Sequence, residues 1–141
     1  MRLVLDSSAT LAWIHPEERT PALEAVFDGI VEDGAIVPRL WHLEIAHSLT
    51  KAARRKRTSP QFRDAALADL QQFDIVVDAE TELHAWQATV QLADTHHLSV
   101  YDASYLELAQ RSKLPLATLD KSLARAAISA GVEVLPTPSS D

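Results

Sequence analysis

The sequence predicts an α/β protein, a three-layer α/β/α sandwich in which helices cover both faces of one parallel sheet. Short apolar runs alternate with helical patterns along the chain, which is typical of parallel sheets. The first apolar run lacks the alternation of apolar and polar residues that marks a strand with one face in water. It therefore suits a strand that is buried on both faces. The 141 residues, 47% of them hydrophobic, are enough for one core. We therefore expect a single domain over 1–141, with 136–141 as a loose tail.

The sheet is organised around its first strand, over 2–6, which ends on the carboxylate of Asp6. Ser7 and Ser8 follow at once and begin a helix. In parallel α/β sheets the ligand crevice lies beyond the carboxyl ends of the central strands. An acid placed directly after such a strand points into that crevice, so we take Asp6 as the anchor of the site.

The remaining elements follow from turn, cap and periodicity signals. Strands are predicted at 35–37, 75–77, 114–118 and 132–135, and helices at 20–33, 40–57, 59–73, 80–96, from about 102, and at 123–130. In the 80–96 helix we expect Leu83, Trp86, Val90 and Ala93 to face inward. The early apolar residues Trp13, Leu23 and Phe27 exceed what we can assign to the core, so either burial or a partner surface is open for them.

Composition excludes several classes of protein. A net charge of −7 argues against a generic nucleic-acid coat protein, so any contact with nucleic acid must be local. The absence of cysteine removes disulfides, thiolate metal sites and thiol nucleophiles, and fits a reducing cytoplasm. No signal peptide or membrane span is expected.

One local basic run stands out at the end of the 40–57 helix. Residues 51–57 hold five of the 13 basic residues. Lys51 and Arg55 lie on the same helix stripe as Glu44, so with Arg54 they are candidates for binding the backbone of RNA. The alternative is that these cations complement the helix dipole and face water.

Several acidic residues lie where a predicted helix begins. Singly, Asp6, Asp102 and Asp120 are each explained as helix-capping residues. Together, they would converge on one edge of a doubly wound sheet, and Glu44 lies on a helix face that can reach that edge. Four clustered carboxylates repel one another unless a cation joins them, and hard divalent ions prefer oxygen ligands.

Four acidic stretches resemble the motifs of a known family. The stretches are Val4-Leu5-Asp6-Ser7-Ser8, Leu43-Glu44-Ile45-Ala46, the segment 99–105 around Tyr101-Asp102-Ala103, and Ala117-Thr118-Leu119-Asp120. They resemble the PIN domain, and most closely the VapC-like ribonuclease toxins of bacterial toxin–antitoxin pairs.

The resemblance implies a five-stranded parallel sheet of order 3-2-1-4-5 and cleavage of single-stranded RNA with Mg²⁺ or Mn²⁺. It further implies that all four acids form the catalytic metal site, with Asp6 and Asp102 as principal ligands and Glu44 and Asp120 as supporting ones. Ser8 and Thr118 are its neighbouring hydroxyls. A homodimer in the cytoplasm and a cognate VapB-like antitoxin are its expected state and partner.

The sequence also offers residues for several other functions. A zinc site at His42 and His47 fails, because residues five apart on a helix are about 140° apart. A deaminase site is excluded by its missing cysteine ligands. A phosphoacceptor receiver would use Asp78, but it needs a second acid beside Asp6, where Ser7 stands. An inactive binding module and a PIN-type nuclease of RNA processing outside a toxin pair also stay open.

Overall fold

The computed structural model describes residues 1–138, and the last part of the predicted tail, 139–141, lies outside them. Its strands are β1 (Leu3–Leu5), β2 (Ala35–Val37), β3 (Ile75–Val77), β4 (Leu116–Ala117) and β5 (Val134–Leu135). Its helices are α1 (Ser7–Ile14), α2 (Pro21–Asp33), α3 (Trp41–Arg54), α4 (Pro60–Leu70), α5 (Thr81–His84), α6 (Val90–His96), α7 (Val100–Ser112) and α8 (Lys121–Ser129).

The five strands form one parallel sheet in the order β3-β2-β1-β4-β5, which confirms the predicted topology. The central strand β1 pairs with β2 through Leu3 and Val4 and with β4 through Val4 and Leu5. All three of these side chains are buried, as expected for a strand covered on both faces. The strands β4 and β5 are shorter than the sequence predicted, at two residues each.

Side-chain caps fix where several helices begin. The hydroxyls of Thr20 and Ser59 accept hydrogen bonds from backbone N–H groups three residues on, and each is followed by a proline at the first helical position. Helix α2 ends at Gly34, whose φ of 81° suits glycine. A β-carbon there would lie 2.9 Å from the carbonyl oxygen of Asp74, so the turn into β2 also needs the missing side chain.

The prediction of an inward apolar stripe in the 80–96 helix was wrong for most of its members. Ala93 is buried, but Leu83 and Trp86 are 75% and 91% exposed, and Val90 is also exposed. The segment is not one regular helix, because a π-helical stretch, Ala85–Thr89, separates α5 from α6. The wider π turn rotates the residues before it relative to α6, so a stripe drawn at regular α-helical spacing does not stay on one face.

Leu23 and Phe27 belong to the core and the partly buried Trp13 packs against it, so the alternative of a partner surface formed by these residues was wrong. Leu23 and Phe27 are 0% and 3% exposed. The Trp13 ring stacks on Phe27 with centroids 4.6 Å apart and meets the edge of Phe73 at 5.2 Å. This aromatic cluster joins α1 and α2 to the segment before β3. None of the helices within residues 1–138 has the length and apolar composition of a membrane-spanning segment.

Candidate active site

Asp6 lies at the carboxyl end of the central strand and is 3% exposed. Its backbone N–H donates to the carbonyl of Ala117, so β4 fixes its position. Its Oδ1 accepts the N–H of Ala9 at 2.9 Å, which makes Asp6 the N-cap of α1. The capping role foreseen from the sequence is therefore real, and it holds the carboxylate rigidly at the sheet edge.

Two hydroxyls hold the Asp6 carboxylate. Ser8 Oγ lies 2.8 and 2.9 Å from the two oxygens, and Thr118 Oγ1 donates to Oδ2 at 2.5 Å. These hydroxyls in turn accept the N–H groups of Leu119 and Asp120. The network ties the end of β1 to the turn between β4 and α8, where Asp120 caps α8 through Leu123.

Glu44 and Asp102 reach the same edge from α3 and α7. Asp102 stands in the first turn of α7, where its N–H donates to Ser99 Oγ, so Ser99 rather than Asp102 is the capping residue. Glu44 is half-buried and accepts a 2.5 Å hydrogen bond from the hydroxyl of Tyr105. Tyr105 lies one turn after Asp102 on α7 and is fully buried.

The electrostatics of the site are those of crowded, partly buried acids. Burial raises the pKa of Asp6 to about 6, and the charge of Asp102 adds to the rise. Burial also raises the pKa of Asp102, helped by Asp120, and the pKa of Glu44, helped by Asp102. Burial and the Glu44 carboxylate raise the pKa of Tyr105 as well, so its hydroxyl stays a donor. Asp102 therefore interacts electrostatically with each of the other three acids.

The site lacks a cation supplied by the described part of the chain. None of the ion pairs found within residues 1–138 includes any of the four acids. In the same range, no three acidic or histidine side chains are close enough to form a ready metal cage. Mg²⁺ does not need such a cage, because it is commonly held by one or two carboxylates and several waters. The carboxylate oxygens around Asp6 therefore fit a hard divalent cation.

The basic run lies at the far end of α3 from the acids. Lys51, Arg54 and Arg55 are exposed. Lys51 follows Glu44 by seven residues and Arg55 by eleven, which places them about 10 and 16 Å farther along the helix axis. Their predicted contact with RNA stays a prediction, and it would involve nucleotides at a distance from the acids.

Sequence reasoning did not identify Tyr105 as a partner of Glu44. The available signal was its spacing of three residues from Asp102, which places both side chains on one face of α7. Sequence reasoning considered Asp78, after the third strand, only as a possible phosphoacceptor and did not identify Arg111 as its partner. Asp78 is buried and accepts hydrogen bonds on both oxygens from Arg111, at 3.2 and 2.6 Å. Burial opposes ionisation of Asp78, but these bonds outweigh it and lower its pKa.

That pairing also bears on the receiver alternative. A phosphoacceptor carboxylate has to be open to a phosphodonor, whereas Asp78 is 5% exposed and occupied by a guanidinium. Arg111 is shared with Glu107, at 2.8 Å. The Asp78–Arg111–Glu107 cluster ties the end of β3 to the last turn of α7, which is a structural role.

Comparison with known proteins points to one family. A family model described as PIN domain matches residues 3–129. The chain is 32% identical over 124 residues to Ribonuclease VapC3 of Pyrobaculum aerophilum, covering 88% of this chain and 93% of that protein. Among solved structures, PAE2754 from Pyrobaculum aerophilum is 23% identical with a TM-score of 0.65, covering 95% of this chain and 92% of that one. FitAcB from Neisseria gonorrhoeae is 18% identical with a TM-score of 0.66, covering 96% of both chains. The two structures support the fold.

Proposed function

Because the chain belongs to the PIN domain family, we propose that it is a ribonuclease that cleaves single-stranded RNA with Mg²⁺ or Mn²⁺. One observation carries the proposal. Asp6 is buried at the end of the central strand beside three further acids, and no ion pair within residues 1–138 neutralises any of them. Such an arrangement costs stability and is explained by a need to bind a cation. The similarity to a ribonuclease over most of the chain supports the substrate class.

The position of each residue indicates its role in the proposed cleavage of RNA. Asp6 and Asp102 would hold the cation, and Glu44 and Asp120 would orient the attacking water from the rim of the site. Ser8 and Thr118 keep both Asp6 oxygens aimed from the rigid end of β1, and Tyr105 fixes the rotamer of Glu44. When bound, the cation supplies Lewis acidity that lowers the pKa of water and offsets negative charge building up on the phosphate.

The test is cleavage of a labelled, unstructured oligoribonucleotide by purified protein. We expect cleavage with Mg²⁺ or Mn²⁺, none in EDTA, and little with a fully paired hairpin. Asp6→Asn and Asp102→Asn each remove ligand charge and should abolish cleavage while far-UV circular dichroism stays unchanged. Full activity of Asp6→Asn from a preparation free of contaminating nuclease would show that the assignment of the site is wrong.

We further propose that the protein is the toxin of a toxin–antitoxin pair, acting as a homodimer in the cytoplasm and controlled by a VapB-like antitoxin. Carboxylates that lack a cation are a ready receptor for an antitoxin arginine, whose planar fork suits bidentate binding to a carboxylate. Expression in a bacterium should stop growth. Co-expression of the neighbouring small open reading frame, or Asp6→Asn, should restore it.

The proposal of a toxin–antitoxin pair and the proposal of a ribonuclease can be refuted independently of each other. Harmless expression at confirmed high levels, combined with metal-dependent cleavage in vitro, would leave a PIN-type nuclease with another cellular role. Sedimentation of the purified protein tests the dimer.

A further inference from the structure

A groove without acids runs along α8 on the side of α6. It has a volume of about 360 Å³ and is lined by His96, His97, Ser122, Arg125, Ala126 and Ser129. No carboxylate lines it, although the chain has 20 acidic residues and a net charge of −7. The groove is therefore a local exception to the acidic character of the protein.

The polar groups of this groove are available to a ligand. Arg125 and His97 are exposed, and neither takes part in an ion pair or a side-chain hydrogen bond found within residues 1–138. An arginine offers five N–H donors, and an imidazole offers at least one in either protonation state. Ser122 adds a hydroxyl. These are the donor types that bind phosphate oxygens without reading sequence.

Residues that line the groove lie close along the chain to residues of the candidate active site. Asp120 caps α8, and Arg125 follows it by five residues, which is about 7 Å along the helix axis. On the other wall, His97 ends α6 in the left-handed conformation, with φ of 56°. It stands two residues before Ser99, which caps the helix that carries Asp102. Arg125 and His97 therefore each lie five residues from a site acid along the chain. The basic run of α3 begins seven residues after Glu44, about 10 Å farther along the helix axis.

We propose that this groove binds the RNA backbone on one side of the scissile phosphate, with Arg125 and His97 contacting a phosphate. The proposal rests on the proposed ribonuclease function and adds the path of the substrate. A strand crossing the acids needs favourable charge beside them, because the phosphates and carboxylates repel. Arg125 supplies positive charge on the helix that Asp120 caps, next to the exposed Lys121, and the α3 run would contact more distant nucleotides.

The test measures binding without cleavage. The parent carries Asp6→Asn, and fluorescence anisotropy with a labelled, unstructured oligoribonucleotide gives Kd over a series of salt concentrations. Arg125→Ala and His97→Ala are added singly and together. The matched control is Arg2→Ala, which removes one exposed positive charge at the amino end of β1, the opposite edge of the sheet. Circular dichroism and thermal melting check that each variant is folded.

We expect Arg125→Ala to raise Kd several-fold and to lower the slope of log Kd against log salt by about 0.7, the value for one phosphate contact to a single strand. Arg2→Ala should leave the slope unchanged. Oligonucleotides with one neutral methylphosphonate at successive positions locate the contact. One position should weaken binding to the parent and have no further effect on Arg125→Ala.

Two results would overturn the proposal in distinguishable ways. If the parent binds RNA and the groove variants keep the slope of Arg2→Ala, RNA binds elsewhere and the groove is not its binding site. If the parent binds no RNA at all and the wild type cleaves none, the ribonuclease function fails together with the groove.

Discussion

Asp6→Asn should stabilise the metal-free protein while it destroys activity. In the folded protein the Asp6 carboxyl has a pKa of about 6, against an ordinary value of 3.8. The folded state therefore prefers the protonated acid. This contribution to stability is fully present below about pH 4 and is lost as the pH rises through 6.

The size of the effect follows from these two pKa values. At pH 7 the cost of keeping Asp6 ionised in the folded protein is about 3 kcal/mol. Asparagine carries no charge, and its Oδ1 can still accept the N–H of Ala9. Its amide N–H groups must find acceptors where Ser8 and Thr118 now donate, which offsets part of the gain. We expect a net stabilisation of about 1 to 3 kcal/mol, or roughly 3 to 10 °C in Tm for a chain of this size.

Urea unfolding of both proteins in EDTA, at pH 4 and at pH 7.5, measures the effect. The difference in unfolding free energy should be small at pH 4 and reach its full value at pH 7.5. Added Mg²⁺ should then stabilise the wild type by mass action and leave Asp6→Asn unchanged. Asp94→Asn is the matched control, because it makes the same chemical change at an exposed acid and should have no effect in any of these conditions.

Two outcomes would refute the reasoning. If Asp6→Asn is no more stable than the wild type at pH 7.5 in EDTA, burial does not penalise the Asp6 charge. If Mg²⁺ stabilises the variant as much as the wild type, the cation does not bind at Asp6. The second outcome would also remove the main support for metal-dependent catalysis.

Three further predictions test the surroundings of the site. Tyr105→Phe removes the hydroxyl that holds Glu44 and should cost about 10- to 100-fold in cleavage or in Mg²⁺ affinity, read from a Mg²⁺ titration; an unchanged titration would make the contact incidental. Lys51→Ala with Arg55→Ala should lower the salt slope of RNA binding by up to about 1.4 with little change in the rate of bound-substrate cleavage, and an unaltered slope would return this run to a solvated helix end. Asp78→Asn weakens the buried ion pair with α7 and should lower the urea midpoint without altering the activity per folded molecule; lost activity in the folded variant would contradict its purely structural role.

The sequence by itself determined the sheet and the elements that form the site. A strand without polar alternation had to be buried on both faces, and it is the central one. Local hydrogen bonding fixed the helix starts, because a capping residue satisfies backbone groups only a few residues away. Three acids at or just after helix starts indicated a common edge, since parallel strands all end on one side of the sheet. The strand order was implied by the resemblance of the four acidic motifs to the PIN domain.

Only the tertiary structure decided which side chains meet across elements. The contact between Tyr105 and Glu44 joins α7 to α3, and the pairing of Asp78 with Arg111 joins β3 to α7. Neither partner lies near the other in the sequence, so no periodicity could pair them. The stripe through Trp86 was misjudged because a π turn changes the face of a helix without a clear sequence signal.

The tertiary structure also decided which basic residues form a cluster on the surface. The basic run at 51–57 is visible in the sequence because five basic residues fall within seven positions. The groove at His97 and Arg125 combines residues from two elements and has no such signature. A cluster made by folding is set by the packing of α6 and α8 against α7, and those contacts exist only once the core has formed.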